Sequence, residues 1–512
     1  MKLWEVQASH NFMSGLLFVR FNYKHLPHVL LLLSIFLELS ACAVPGNSVD
    51  TPTLFMDKDP MSSTPQQDPK TVVIAINAQS QAQTIEGFGA AGAWWAQDVG
   101  GWEDEKRNLV ADLLFDREKG IGLSFYRYNI GGGNGENIQD VWRRAETFEV
   151  APGQYDWTRD ANAMWILRAA RDRGVENFVA FVNSPPARMT VSGLTTGEKD
   201  GKSNLPPEMY AEYSQYLVDV VRHLRDDENI PVEWISPINE PQWNWSYKNG
   251  QEGCHYGPDE VLELTRVLLE TLQKNQLDVQ LTMFESGEWK SSDVYIEKLA
   301  SDPQVWDALP HLSIHSYWST RADKERFMKY MKKNHPDKTL WMSEWTEMQE
   351  GRDTGMESAL TMASVIHDDL TIANVTSWQY WIAVSKYQYR DGLIYVDPLD
   401  HDVIQTKRLW ILGNYSRFIR PGFVRMEIRG GDESFLVSAY RSADDRRWVV
   451  VAVNLSNQPV NLQLDGLGDP LPARVEQFET SDQSNLMIVN SSTGSTSWTL
   501  SPLSVTTLVM DR

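Results

Sequence analysis

From residue 84 onward, short apolar runs alternate with amphipathic stretches, and they do so eight times. The runs begin at Thr84 (TIEGFGAAGAW), Leu123 (LSFYRYNIGG), Asn177 (NFVAFVNSPP), Val232 (VEWISPINE), Val279 (VQLTMFES), His311 (HLSIHSYW), Thr339 (TLWMSEW) and Val375 (VTSWQYW). Each is rich in Val, Ile, Phe or Trp, the residues that suit a buried parallel strand. Between them, stretches such as PPEMYAEYSQYLVDVVRHLRDD and PDEVLELTRVLLETLQK keep apolar residues at i, i+3 and i+4, and both open on Pro, a residue favoured in the first helical turn. Eight strands alternating with helices is the count of a (β/α)8 TIM barrel. The other α/β solution, an open doubly wound sheet, lacks its usual signal, because the glycines near Gly131 do not have the G-x-G-x-x-G spacing.

After Pro421 the period changes to two. SFLVSAYRS, RWVVVAVNLS, PVNLQLDGL, ARVEQFETS and the final STSWTLSPLSVTTLVMD are short alternating strands separated by turn residues. They predict a side β-sandwich, and the strand TVVIAINAQSQ at Thr71 is available to join it. The organisation expected is a signal segment over 1–42, a Pro-, Ser- and Thr-rich linker over 43–70, an N-terminal strand of the sandwich over 71–83, the barrel over 84–418 and the β-sandwich over 419–512.

A net charge of −22 argues against nucleic acid or another polyanion as a partner. Two cysteines, Cys42 and Cys254, make neither a disulfide framework nor a zinc set, and no metal or other cofactor is expected. The apolar run Val29–Leu37, with Arg20 and Lys24 upstream, is short for a membrane span and reads as a signal-peptide core. LSAC at its end resembles a bacterial lipobox, with Cys42 as the lipidated residue and Glu38 as a departure. The chain is therefore expected to be exported, as an outer-membrane or cell-surface lipoprotein or otherwise as a periplasmic or secreted monomer. Twenty tryptophans offer flat apolar faces suited to sugar rings.

In a barrel the site stands at the C-terminal ends of the strands. There the sequence puts Arg127, Asn129 and Asn134 after strand 2, Asn183 after strand 3, Asn239 and Glu240 after strand 4, and Glu285 and Glu288 after strand 5. His315 and Tyr317 follow strand 6, Glu344 follows strand 7, and Trp378 and Trp381 belong to strand 8. Strands 4 and 7 face each other across an eight-stranded barrel. Two opposed carboxyls are what glycoside hydrolysis requires, one to protonate the leaving oxygen and the other to attack the anomeric carbon or activate water. Arg127 is placed to keep one of them ionised, and His315 reads as an orienting hydrogen-bond partner. Of the adjacent Trp94 and Trp95 at most one lines the cleft, and Trp95 is taken as that one.

These segments resemble glycoside hydrolase family 30, of the clan of retaining (β/α)8 glycosidases. The similar stretches, in order, are IEGFGAAGAWW, YRYNIGGG, NSPPARMT, SPINEP, SIHSYW, WMSEW and KRLWILGNYSRFIRPG. The resemblance implies Glu240 as acid/base, Glu344 as nucleophile, Asn239 on the sugar 2-OH, Arg127 beside the nucleophile, Tyr317 near it and Trp378 under the −1 subsite. Some family members carry a Trp in the loop after strand 3, where this chain has Arg188 and Met189, which turns the likeness away from the glucosylceramidase branch. The GAWW opening looks most like the endo-β-1,6-galactanase branch. β-1,6-Glucanase, xylanase and β-glucosidase activities are the alternatives within the family. A non-catalytic surface glycan-binding protein is the alternative of another class, and it has no need of two opposed acids.

Overall fold

The computed structural model describes residues 69–512, apart from 134, 198 and 199. The expected signal segment, Cys42, nearly all of the expected linker and Asn134 lie outside the described residues. Among the described residues, no helix is long and apolar enough to cross a membrane.

Eight parallel strands form the barrel: Gly87–Ala91, Phe125–Asn129, Asn177–Phe181, Val232–Ser236, a fifth in two pieces (Gln280–Leu281 and Met283–Ser286), His311–Ile314, Thr339–Met342 and Ser377–Tyr380. The first piece of strand 5 pairs with strand 4 and the second with strand 6, while strand 8 pairs with strand 1 from Ser377 opposite Gly87, so the ring closes. Helices on the outside bury one stripe each. In Tyr210–Asp226 the buried residues include Tyr213, Leu217, Val220, Val221 and Leu224, the i, i+3, i+4 pattern read from the sequence. The helix Arg321–Asn334 starts at a reciprocal cap, in which Thr320 Oγ1 accepts from the Asp323 amide at 3.2 Å and the Thr320 amide donates to Asp323 Oδ2 at 3.0 Å.

Strand parity sorts the interior. Along Phe125–Asn129, Tyr126 and Tyr128 face the helices, where Tyr126 meets Phe115 edge-on at 5.4 Å and Tyr128 donates to Asp160 at 2.7 Å. Phe125, Arg127 and Asn129 face inward. At the N-terminal end the barrel is plugged by aromatics. Phe125, Trp234 and Trp341 have ring centroids 5.0–5.6 Å apart, and His311 stacks on Trp341 at 3.6 Å. The plug keeps water out from below, so charges above it interact in a low dielectric.

Apart from a three-stranded sheet over Val384–Ser385, Ile394–Val396 and Val403–Gln405 and a two-stranded one over Glu149–Ala151 and Gln154–Tyr155, the remaining described strands form one nine-stranded sheet. Its order is Met487–Ser492, Arg474–Thr480, Ser504–Asp511, Arg447–Asn454, Phe435–Arg441, Phe423–Arg429, Lys70–Ile85, Val460–Asp465 and Ser497–Leu500. The sheet curls so that residues from distant strands, Trp448 and Leu508 with Leu462 and Trp498, share one core. The two layers expected of a sandwich are thus halves of a continuous hydrogen-bonded sheet. The N-terminal strand joins them, antiparallel to Phe423–Arg429 and parallel to Val460–Asp465. At Glu86 it hands over to barrel strand 1. The helix Lys407–Ser416 docks sheet to barrel, with Asn414 accepting from Thr480 at 2.7 Å and donating to Thr507 at 2.9 Å, while Ser416 donates to Ile121 O at 2.6 Å.

Candidate active site

Above the aromatic plug the inward-facing residues become polar and charged. Arg127 rises from strand 2 and is fully buried, its guanidinium 3.8 Å over the Phe181 ring. One terminal nitrogen donates to Glu344 Oε2 at 2.5 Å. The other donates to Asn239 Oδ1 at 2.9 Å and lies 3.4 Å from Glu285. Tyr317 donates to the second Glu344 oxygen at 3.1 Å. His315 bridges the other carboxylates, with Nδ1 3.2 Å from Glu240 and Nε2 3.1 Å from Glu285. Glu240, His315 and Glu344 each place an atom within 4.8 Å of the other two. Six of the expected residues, Arg127, Asn239, Glu240, His315, Tyr317 and Glu344, therefore form one connected cluster. Asn183 stands beside it, donating to Asn129 Oδ1 at 3.3 Å.

The backbone is specialised where the carboxylates are delivered. Glu240 after strand 4, Glu285 near the end of strand 5 and Trp318 after strand 6 take φ values of +46°, +60° and +46°. Side chains rarely adopt that conformation, and such residues gather at functional sites. The Glu240 amide is fixed by a bond to Glu285 O at 2.9 Å. Gly287 passes so close that a Cβ there would sit 2.7 Å from Glu240 Oε1 and 2.5 Å from Gln242.

Burial and charge act against each other in this cluster. Burial pushes the Glu285 carboxyl up, and Arg127, then His315 and Ser343, pull it down to about 2. It is a fixed anion. Burial pulls the His315 imidazole down, and Glu344, Glu240 and Glu285 push it up to about 9, so it is a cation at neutral pH. For Glu344, burial raises the carboxyl above its ordinary value against the pull of His315 and Arg127, and the nearby Glu240 raises it further. Arg127 touches Glu344 and not Glu240, and so favours the charged form of Glu344. Among the described residues, Glu240, His315 and Glu344 also bring together atoms of the kind that ligate a metal, and Arg127 already supplies a positive charge beside them.

Two aromatic pairs stand at the mouth. Trp94 meets Trp381 edge-on at 5.0 Å, and Trp243 meets Trp318 edge-on at 5.6 Å, with Trp318 43 % exposed. Two expectations are corrected here. Trp378 is fully buried and turned to the helix layer, where its indole donates to Asp369 at 3.0 Å, so it does not floor a sugar subsite. In strand 8 the inward face carries Ser377 and Gln379, joined by a hydrogen bond at 3.2 Å, and Trp381 continues that parity. Trp95 is likewise fully buried, its indole donating to Ala91 O at 2.9 Å, and Trp94 is the member of the pair at the mouth. Parity along strand 8 was legible in the sequence; the turn that separates Trp94 from Trp95 was not.

Glu285 is more central than its strand-end position indicated. It accepts from Ser236 at 2.9 Å and also from Ser343, and so ties strands 4, 5 and 7 to His315. The small polar residues one place before Pro237 and Glu344 were the available signal. Glu288 and Glu347 point elsewhere, to Lys290 at 2.8 Å and Arg390 at 3.1 Å.

The model of O-glycosyl hydrolase family 30 matches residues 71–395. The chain is 23% identical to the endo-beta-1,6-galactanase of Hypocrea rufa over 74% of this chain and 81% of that protein. It is 24% identical to the glucuronoxylanase XynC of Bacillus subtilis (strain 168) over 86% of this chain and 92% of that protein. Among solved structures, a conserved exported protein from Bacteroides fragilis superposes with a TM-score of 0.78 at 28% identity, covering 86% of this chain and all of that one. With the family model spanning the barrel from its first strand to past its eighth, the chain belongs to O-glycosyl hydrolase family 30.

Proposed function

We propose that this protein is a retaining endo-glycosidase that cleaves β-1,6-linked galactan, with Glu344 as nucleophile and Glu240 as acid/base. The observation that carries the mechanism is the pair itself. One oxygen of Glu240 and one of Glu344 lie within 4.8 Å of each other, a closeness that supports the retaining arrangement, in which the carboxyl groups stand about 5–5.5 Å apart. Arg127 and Tyr317 converge on Glu344 and favour its charged form, while His315 orients Glu240. In the first half-reaction Glu344 bonds to the anomeric carbon as the glycosidic C–O bond breaks, and Glu240 gives its proton to the departing oxygen. In the second, Glu240 takes a proton from water, whose oxygen displaces Glu344. Two inversions restore the original anomeric configuration. Asn239, fixed by Arg127, is the partner for the sugar 2-OH.

For the substrate, the aromatic pairs Trp94/Trp381 and Trp243/Trp318 support sugars stacked on more than one side of the scissile bond, hence cleavage within a chain. Arg188, the cation available to hold a uronic acid after strand 3, is already engaged by Glu149 and Glu212, both at 2.7 Å. That favours the likeness to the galactanase over the likeness to the glucuronoxylanase. The apolar run before Cys42 supports export, with Cys42 as a lipid attachment point. The test is hydrolysis of debranched β-1,6-galactan, β-1,6-glucan and glucuronoxylan at matched concentration, with product lengths and anomers followed. Oligosaccharides of retained configuration released fastest from galactan are expected. Faster release from either rival polymer overturns the galactan assignment, and inverted products overturn the nucleophile.

A further inference from the structure

Ser316 lies between two residues of the site and faces the other way. His315 and Tyr317 turn inward to the carboxylates. The Ser316 hydroxyl turns out to the helix layer, donating to Asp369 Oδ1 at 2.8 Å and accepting from the Trp289 indole at 2.7 Å. Asp369, on the helix Met356–Thr371, is fully buried. The same Oδ1 takes the ammonium of Lys324, from the helix Arg321–Asn334, at 2.7 Å, and Oδ2 takes the Trp378 indole at 3.0 Å. Both charged partners are buried, Lys324 at 2 % and Asp369 at 0 % side-chain exposure. One carboxylate thus gathers two helices, strand 8 and the segment after strand 6.

Such a pair is a poor source of stability, because apolar residues of the same volume do as well or better in its place. What it does supply is direction. A charged acceptor with three donors at fixed angles holds its neighbours more tightly than apolar packing. The chain held is His315-Ser316-Tyr317, whose outer two side chains make the 3.2 Å and 3.1 Å contacts to Glu240 and Glu344. We infer that Asp369, fixed by Lys324 and Trp378, is a positioning residue that acts through Ser316 to set His315 and Tyr317 against the two glutamates. The inference rests on the roles proposed for Glu240 and Glu344.

The test is Ser316→Ala, which cuts the link and leaves the ion pair whole, with Ser316→Thr as the variant that keeps the hydroxyl. Active enzyme is counted by covalent trapping at the nucleophile. Per active site, Ser316→Ala is expected to lower kcat about tenfold, since small misplacements at a reacting centre carry large rate effects, with KM changed by less than about twofold. Its acid limb should move to higher pH, because a looser Tyr317 donates less well to the charged form of Glu344. Ser316→Thr should recover most of both. Should Ser316→Ala fail to fold, Trp378→Phe, which removes one donor to Asp369 and keeps an aromatic ring, is read in the same way and should show smaller changes in the same direction. A kcat within about twofold of the parent with an unmoved acid limb overturns the inference, as does a loss accounted for entirely by fewer active sites. Glu344→Gln run in parallel separates the two claims. Turnover surviving in that variant overturns the nucleophile assignment, whereas an inactive Glu344→Gln beside an unaffected Ser316→Ala overturns only the positioning role.

Discussion

The curled sheet and the mouth of the barrel are both buried, and they use burial differently. The sheet is filled by Val, Ile, Leu, Met and aromatic residues such as Trp448, Leu462 and Trp498, so each side chain removed from water contributes to stability. At the barrel mouth, Arg127, Glu285, His315 and Glu344 are buried just as fully, and each carries a desolvation cost that only its partners offset. Those partners are specific: Arg127 on Glu344, His315 between Glu240 and Glu285, two serines on Glu285. The difference teaches that the sheet tolerates any side chain of suitable shape, while the mouth depends on complete sets of charge and donor.

The largest expected effect is at the mouth. Glu344→Gln keeps the shape and removes the carboxylate proposed as nucleophile, and kcat should fall about 10⁴-fold or more with substrate binding retained, measured by turnover and by binding of the same glycan. Near-normal turnover would erase the distinction drawn here. Glu240→Ala comes next. Loss of the proposed general acid should lower kcat about 10²–10⁴-fold on a polysaccharide and far less on an aryl glycoside with a good leaving group, where the alkaline limb should also vanish. An unchanged alkaline limb would move the acid role away from Glu240.

Trp448→Ala sharpens the contrast from the other side. Truncating this fully buried residue of the sheet should cost about 3–5 kcal/mol in denaturant unfolding, while kcat per folded molecule stays at the parent value. A changed kcat would show the sheet to be part of the site.

The smallest expected effects are in pH. Because Glu344 is raised, chiefly by burial, activity should fall on acidification through a value above its ordinary 4.5. His315 stands at about 9 against an ordinary 6.5. A raised pKa means that its stabilising contribution is complete below pH 6.5 and is lost as pH rises through about 9. Unfolding free energy should decline across that window, and His315→Gln should flatten the decline.

The sequence alone determined the eight-fold alternation, the change of period after Pro421, the joining of the Thr71 strand to the C-terminal sheet, and the six residues that meet at the site, from Arg127 to Glu344. Those features are local or additive: apolar period names the element, and a barrel delivers every strand end to one place. What only the tertiary structure decided depends on which way a side chain leaves the backbone and on what waits there. Trp94 rather than Trp95 reaches the mouth because a turn aims it, and the Trp378 that strand parity turns outward finds Asp369 waiting there. Glu285 became the anchor of His315 because strands 4, 5 and 7 bring Ser236 and Ser343 onto one carboxylate. Asp369 meets Lys324, Ser316 and Trp378 only when two helices, strand 8 and the segment after strand 6 have packed. A buried charge is read from its partners, and partners distant in the chain are chosen by the fold.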